Sequence, residues 1–200
     1  MVSENTFVVT QANLAKRKKT ILKNWKEREL AKKQAKANEK VVPPTTTSPY
    51  DAPISYLRRE IYRTVRSCLR TGGMKFLQDG FNEATRGLPN KGSVRPTSEN
   101  LANPFYLGTV YITAAEPTFS RTYRMRFSRE MLYAHLHDVP PDLLIGFLYQ
   151  IGSSDEIGNR LKNRTYEVWR GKLPISTTSK ELKRIKHPLA PPSKPRLIKK

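Results

Sequence analysis

The sequence predicts an α+β fold: a compact mixed helical domain with a small antiparallel sheet of about three strands, flanked by flexible basic arms at both ends. Three observations predict it. Positive charge gathers at the two ends, apolar periodicity is confined to the middle, and two runs in that middle alternate with the two-residue period of a strand. The 200 residues hold 37 Lys and Arg against 17 Asp and Glu, a net charge of +20. The excess is +7 over residues 1–40, +5 over 41–171 and +8 over 172–200. Lys dominates both ends and Arg the centre. Such a division suits mobile ends around a folded middle, because Lys is a hydrated point charge whereas Arg tolerates partial burial and forks onto carboxylates or phosphates.

Residues 1–40 read as a basic, helix-prone arm. Helix propensity is high over residues 11–40, but Leu14, Ile21, Leu22, Trp25 and Leu30 make a poor apolar stripe. The plain reading is a solvated charged helix or tail, and Trp25 is the residue that argues for a partner. Residues 41–53 are a linker, since four prolines in thirteen residues forbid a helix and favour an extended path. The globular core then spans residues 54–171 and is expected to fold without the arms.

Within the core, residues 53–70 carry the clearest helical pattern. At 3.6 residues per turn, Ile54, Leu57, Ile61, Val65, Cys68 and Leu69 share one arc of about 120°. Arg58, Arg59, Arg63, Arg66 and Arg70 occupy a neighbouring arc of about 140°, interrupted only by Glu60. The row faces phosphate or pairs with acids such as Asp79 and Glu83. Cys68, the only cysteine, lies on the apolar arc, where a buried inert thiol is the expected state. A second helix follows Gly72-Gly73 through Met74, Leu77, Phe81 and Ala84, with Gly87 as its cap. Residues 87–104 are a long irregular loop rich in turn formers.

Residues 105–114 and 118–127 read as two strands of a hairpin around Ala115-Glu116-Pro117. In the second, Phe119, Tyr123, Met125 and Phe127 would face the core, and Arg124 and Arg126 the solvent. Ser128 is placed to cap a helix through Met131, Leu132, His135 and Leu136, and Pro140-Pro141 opens another through Leu144, Phe147, Leu148 and Ile151. A possible third strand covers residues 164–170. Residues 172–200, with five prolines and nine basic residues against Glu181, form a second arm.

No motif carries catalytic chemistry. His135 and His137 point about 200° apart on a helix and cannot share a metal there. The loop containing Lys91-Gly92-Ser93 lacks the order and the preceding strand of a phosphate-binding loop. No enzyme activity, metal or cofactor is expected, and neither is a secretory signal or a membrane span. A polyanion is the expected partner. The cations expected to meet it are Lys16, Arg17, Lys18 and Lys19 in the first arm, Arg58, Arg59, Arg63, Arg66 and Arg70 on the first core helix, Arg124 and Arg126 on the solvent face of the sheet, and Lys183, Arg184, Lys186, Lys199 and Lys200 in the tail.

These features predict a non-enzymatic, intracellular structural protein of the viral coat or nucleocapsid kind, which packages nucleic acid, RNA favoured, through its arms and self-assembles through its core. A matrix-type protein on anionic membrane and a ribonucleoprotein component are the alternatives. The segment Thr109-Val110-Tyr111-Ile112-Thr113 with Phe119 and Arg121-Thr122-Tyr123, behind a basic arm and Pro-rich linker, loosely resembles matrix proteins of bullet-shaped negative-strand viruses. The linker lacks the Pro-Pro-x-Tyr budding motif, and no residue roles carry over.

Overall fold

A computed structural model describes residues 9–38, 48–86 and 98–163. Among these residues it is helical, with no strand. The elements run α1 (Gln11–Asn38), α2 (Pro53–Thr71), α3 (Met74–Arg86), α4 (Ser98–Ala102), α5 (Pro104–Thr113), α6 (Arg121–Leu136), a 3-10 turn (Pro141–Leu143), α7 (Leu144–Gln150) and α8 (Ser154–Asn163). The expected α+β class is therefore wrong: both arms of the predicted hairpin are helices, and the possible third strand at residues 164–170 lies outside the described residues.

The first strand misread is α5, the centre of the fold. Pro104 sits in its first turn, where no N–H is missed, and the Asn103 side chain accepts a hydrogen bond from the Phe105 amide (3.0 Å). Every residue from Phe105 to Thr113 is buried. A short apolar run with no polar side suits a central strand or an enclosed helix equally. Enclosure decides, because α2, α3 and α6 all pack on α5. The β-branched threonines that favoured a strand are accommodated inside the helix. The Thr109 and Thr113 hydroxyls donate to the carbonyls of Phe105 and Thr109, each at 2.7 Å, leaving no polar group stranded. Gly108 lets α5 approach α2, since a Cβ there would collide with Val65. Replacing it with Ala gains up to about 1 kcal/mol of helix propensity but forces overpacking that costs about 1–3 kcal/mol. A lower urea midpoint with an unchanged slope is the expected result for Gly108→Ala.

The second misread is α6, where two periods coincide. Phe119, Tyr123 and Phe127 lie four apart, so they share a face in a strand and also in a helix. Here Ser120 caps the helix, accepting from the Tyr123 amide at 3.2 Å, and the three rings cluster, with centroids 5.5 Å (Phe119 to Tyr123) and 5.0 Å (Tyr123 to Phe127) apart. Ser128, expected to start a helix, is buried inside one and donates to the Met125 carbonyl.

The helices read at α2 and α3 match the structure, while Gly87, read as the cap of α3, lies outside the described residues. Leu57, Ile61, Val65 and Cys68 are buried, Leu77 and Phe81 face them from α3, and Gly72 closes α2 in the left-handed conformation (φ 71°). Leu144, Phe147, Leu148 and Ile151 are likewise buried at α7. α1 packs on α2, α3 and α5. Leu14, Ile21 and Trp25 belong to the same apolar cluster as the rest, and Trp25 meets Phe119 edge-on at 5.4 Å. The buried core thus draws on residues that the charge pattern places in an arm.

Candidate nucleic-acid interface

The arginine row on α2 is engaged within the fold. Arg58 lies 3.0 Å from Glu130 of α6, with both side chains mostly buried, and its guanidinium stacks over the Phe127 ring at 4.3 Å. Arg63 joins Glu60 on its own helix to Asp142 (2.6 Å). Arg66 pairs with Asp138 (2.6 Å) and donates to the Val139 carbonyl, which also accepts from the Tyr62 hydroxyl at 2.8 Å. These bonds hold the turn after α6, where Asp138 has a left-handed backbone (φ 53°). The row's partners are Glu60, Glu130, Asp138 and Asp142 rather than Asp79 and Glu83. Arg59 is half-buried, and Arg70, the last of the row, is exposed.

The two cations assigned to a sheet face separate in α6. Arg124 turns inward to the end of α5, its Nε donating to Thr113 Oγ1 (3.0 Å) and its Nη2 to the Thr113 carbonyl (2.8 Å). It satisfies a helix terminus, as a basic side chain there should. Arg126 stays exposed, 3.8 Å from a still more open Asp155, a geometry worth little.

α1 sorts its cations by face. The contiguous run at residues 16–19 divides: Arg17 turns toward Glu60 (3.5 Å) and Lys18 lies over the Tyr111 ring (4.5 Å), while Lys16 and Lys19 are exposed. Burial pushes the pKa of both Arg17 and Lys18 down. Opposite Leu14, Ile21 and Trp25, the helical repeat aligns Lys16, Lys19 and Lys23 in a ridge within an arc of about 60°. Lys23 is 3.9 Å from Glu27, both well exposed, so that contact neutralises little. Lys26 is committed to Glu116 at 2.6 Å, tying α1 to the corner before α6. Past Glu29 every described side chain of α1 is exposed, including Lys32, Lys33 and Lys36. This end of the helix extends about 13 Å beyond its last core contacts.

Lys23, Lys32, Lys33 and Lys36 were not singled out from the sequence. A helical wheel centred on Leu14, Ile21 and Trp25 would have found the ridge, but that centre is visible only if those three residues are taken as core. Lys183, Arg184, Lys186, Lys199 and Lys200 lie outside the described residues.

Other candidate chemistry is quiet. Cys68 is buried, which pushes its thiol pKa up to about 11, away from the reactive thiolate. His137 is buried at the end of α6 against Tyr133 and Phe147, whereas His135 is half-buried beside Phe105. Burial lowers the pKa of His135. Among the described residues no cluster of His, Cys, Asp or Glu could hold a metal, and no helix is long and apolar enough to cross a membrane. No protein-family model matches the chain, and no curated protein or solved structure is significantly similar to it.

Proposed function

We propose that the protein is a non-enzymatic structural protein that binds nucleic acid through its phosphates, of the coat or nucleocapsid kind, with α1 as the binding element in the folded part. The observation that carries this reading is the lysine face of α1. Ten basic residues and two acidic ones share the helix, and folding spends Arg17, Lys18 and Lys26 internally while leaving Lys16, Lys19, Lys23, Lys32, Lys33 and Lys36 in water. A lysine ridge neutralises phosphates without reading base edges, which suits packaging of any sequence, RNA being the favoured cargo. The basic residues of 172–200 add to the same term, and self-association through the helical domain would array these ridges along a strand.

Changing Lys16, Lys19 and Lys23 together to Gln should weaken binding of a random single-stranded RNA and flatten the log-log dependence of affinity on salt by up to about 2, at roughly 0.7 per lost contact. The melting temperature should hardly move, since the three side chains are exposed. An unchanged salt slope would refute α1 as the interface. Loss of flotation on anionic vesicles with RNA binding intact would favour the membrane reading instead.

A further inference from the structure

A cleft of about 1140 Å³ opens between α4, α6 and α8. α1 contributes no side chain to it and packs on α2, α3 and α5, so the cleft is separate from the lysine ridge. Three cations line it, Arg126, Arg129 and Lys162, against one acid, Asp155. Arg126 and Asp155 stand 3.8 Å apart, both exposed. Arg129 is half-buried and, among the described residues, has no carboxylate partner, unlike Arg58, Arg63 and Arg66. Its Nη1 lies 3.8 Å from the place a Cβ on Gly158 would take, so the guanidinium reaches across to α8. Lys162 follows Gly158 by four residues and shares its face of the helix, whereas Asp155 lies one turn before it, beside Arg126. Arg129 and Lys162 therefore converge away from the acid.

We propose that this cleft takes nucleotides of a bound single strand, with a phosphate between Arg129 and Lys162 and a base against Leu132, Leu136 and Leu161. The inference rests on the nucleic-acid reading above and adds to it a contact with the bases, which the lysine ridge does not make. Three observations select this occupant. A phosphodiester supplies the counter-charge that Arg129 lacks, in a cleft whose cations outnumber its acid by three to one. The leucine wall is open to a flat apolar partner, Leu136 being 49% exposed. No aromatic side chain lines the cleft, so the base would rest on these leucines and on a guanidinium plane. The amides of Asn100, Asn103 and Asn159 also line it, and such groups both donate and accept, as the edges of bases require. The acyl chains of a phospholipid would leave those amides without a partner. The volume exceeds the roughly 300–1,000 Å³ of an ordinary small-molecule pocket, which leaves room for more than one nucleotide.

Binding of a short oligouridylate and of an abasic phosphodiester of equal length and charge to nuclease-treated, full-length protein separates base contact from phosphate contact. The unaltered protein is expected to prefer the oligouridylate by about tenfold, the effect of burying roughly 55 Å² of base surface. Gly158→Gln adds a side chain to the cleft at a helical position with room for it, and should remove most of that preference. Arg129→Gln combined with Lys162→Gln should do the same. Changing Lys16, Lys19 and Lys23 to Gln should instead weaken binding of both oligomers and leave their ratio unchanged. Equal, salt-dependent affinities in the unaltered protein would overturn the cleft proposal while the ridge reading stood. A preference that both cleft variants keep would also overturn it, because the base would then be held elsewhere. Binding of neither oligomer would refute the nucleic-acid reading and the cleft with it. Absence of any base preference, with flotation on anionic vesicles lost in the cleft variants, would assign the cleft to a lipid phosphate.

Discussion

Truncation of the protein to residues 53–171 is expected to abolish cooperative folding, although the charge pattern presents that span as a self-sufficient domain. The reason is the inner face of α1. Leu14, Ile21 and Trp25 are at most 7% exposed, and their removal uncovers the α2 and α5 side chains beneath them and the Phe119 ring that Trp25 covers. Losing one buried Trp or Leu typically costs about 2–5 kcal/mol. Losing three together rivals the roughly 5–15 kcal/mol that holds a whole domain folded. The single change Trp25→Ala should by itself lower stability by about 3–5 kcal/mol. Calorimetry of the full chain, Trp25→Ala and the truncated chain checks both statements. A sharp transition for residues 53–171 near that of the full chain would show α1 to be an accessory. For the same reason, deleting residues 1–40 is a poor test of RNA binding, because it removes part of the core along with the charge. Point changes on the lysine ridge separate the two.

How far the sequence was legible depended on whether a segment's own residues or its neighbours determine its state. α2 declares itself through Pro53, a wide apolar arc and Gly72, all of them local signals. α5 has no polar face, so only its enclosure by three other helices distinguishes it from a central strand. The ring spacing at 119, 123 and 127 satisfies both periods, and the tie is broken by Ser120 acting as a cap, a role that a serine in an apparent strand does not announce. α1 failed for a different reason. Its core contacts are one residue per turn or fewer, set among ten cations, and a stripe that thin is indistinguishable from chance until the surface it covers is known. The candidate site followed the same logic. Charge content picks out α1, but exposure divides Lys16 and Lys19 from Arg17 and Lys18, and exposure is a property of the packing.

Arg58 provides the sharpest contrast with the ridge, and its loss is expected to damage the fold while leaving RNA contact alone. Its partner Glu130 is buried, also accepts a hydrogen bond from the Ser154 hydroxyl, and so joins α2, α6 and the start of α8 at one point. Removing one member of such a pair strands the other charge away from water and costs about 3–5 kcal/mol. Arg58→Ala and Glu130→Ala should each show that loss in urea titrations. Replacing both at once with Met and Leu should recover most of it, because the desolvation of both charges disappears together with their attraction. The salt dependence of RNA binding, measured under conditions where each variant is folded, should match that of the unaltered protein. Arg63 and Arg66, whose aspartate partners are well exposed rather than buried, should follow the same direction with smaller losses. If Arg58→Ala instead kept its stability and flattened the salt slope, the ion pairs of α2 would be exchangeable for phosphate, and the arginine row rather than the lysine ridge would be the interface.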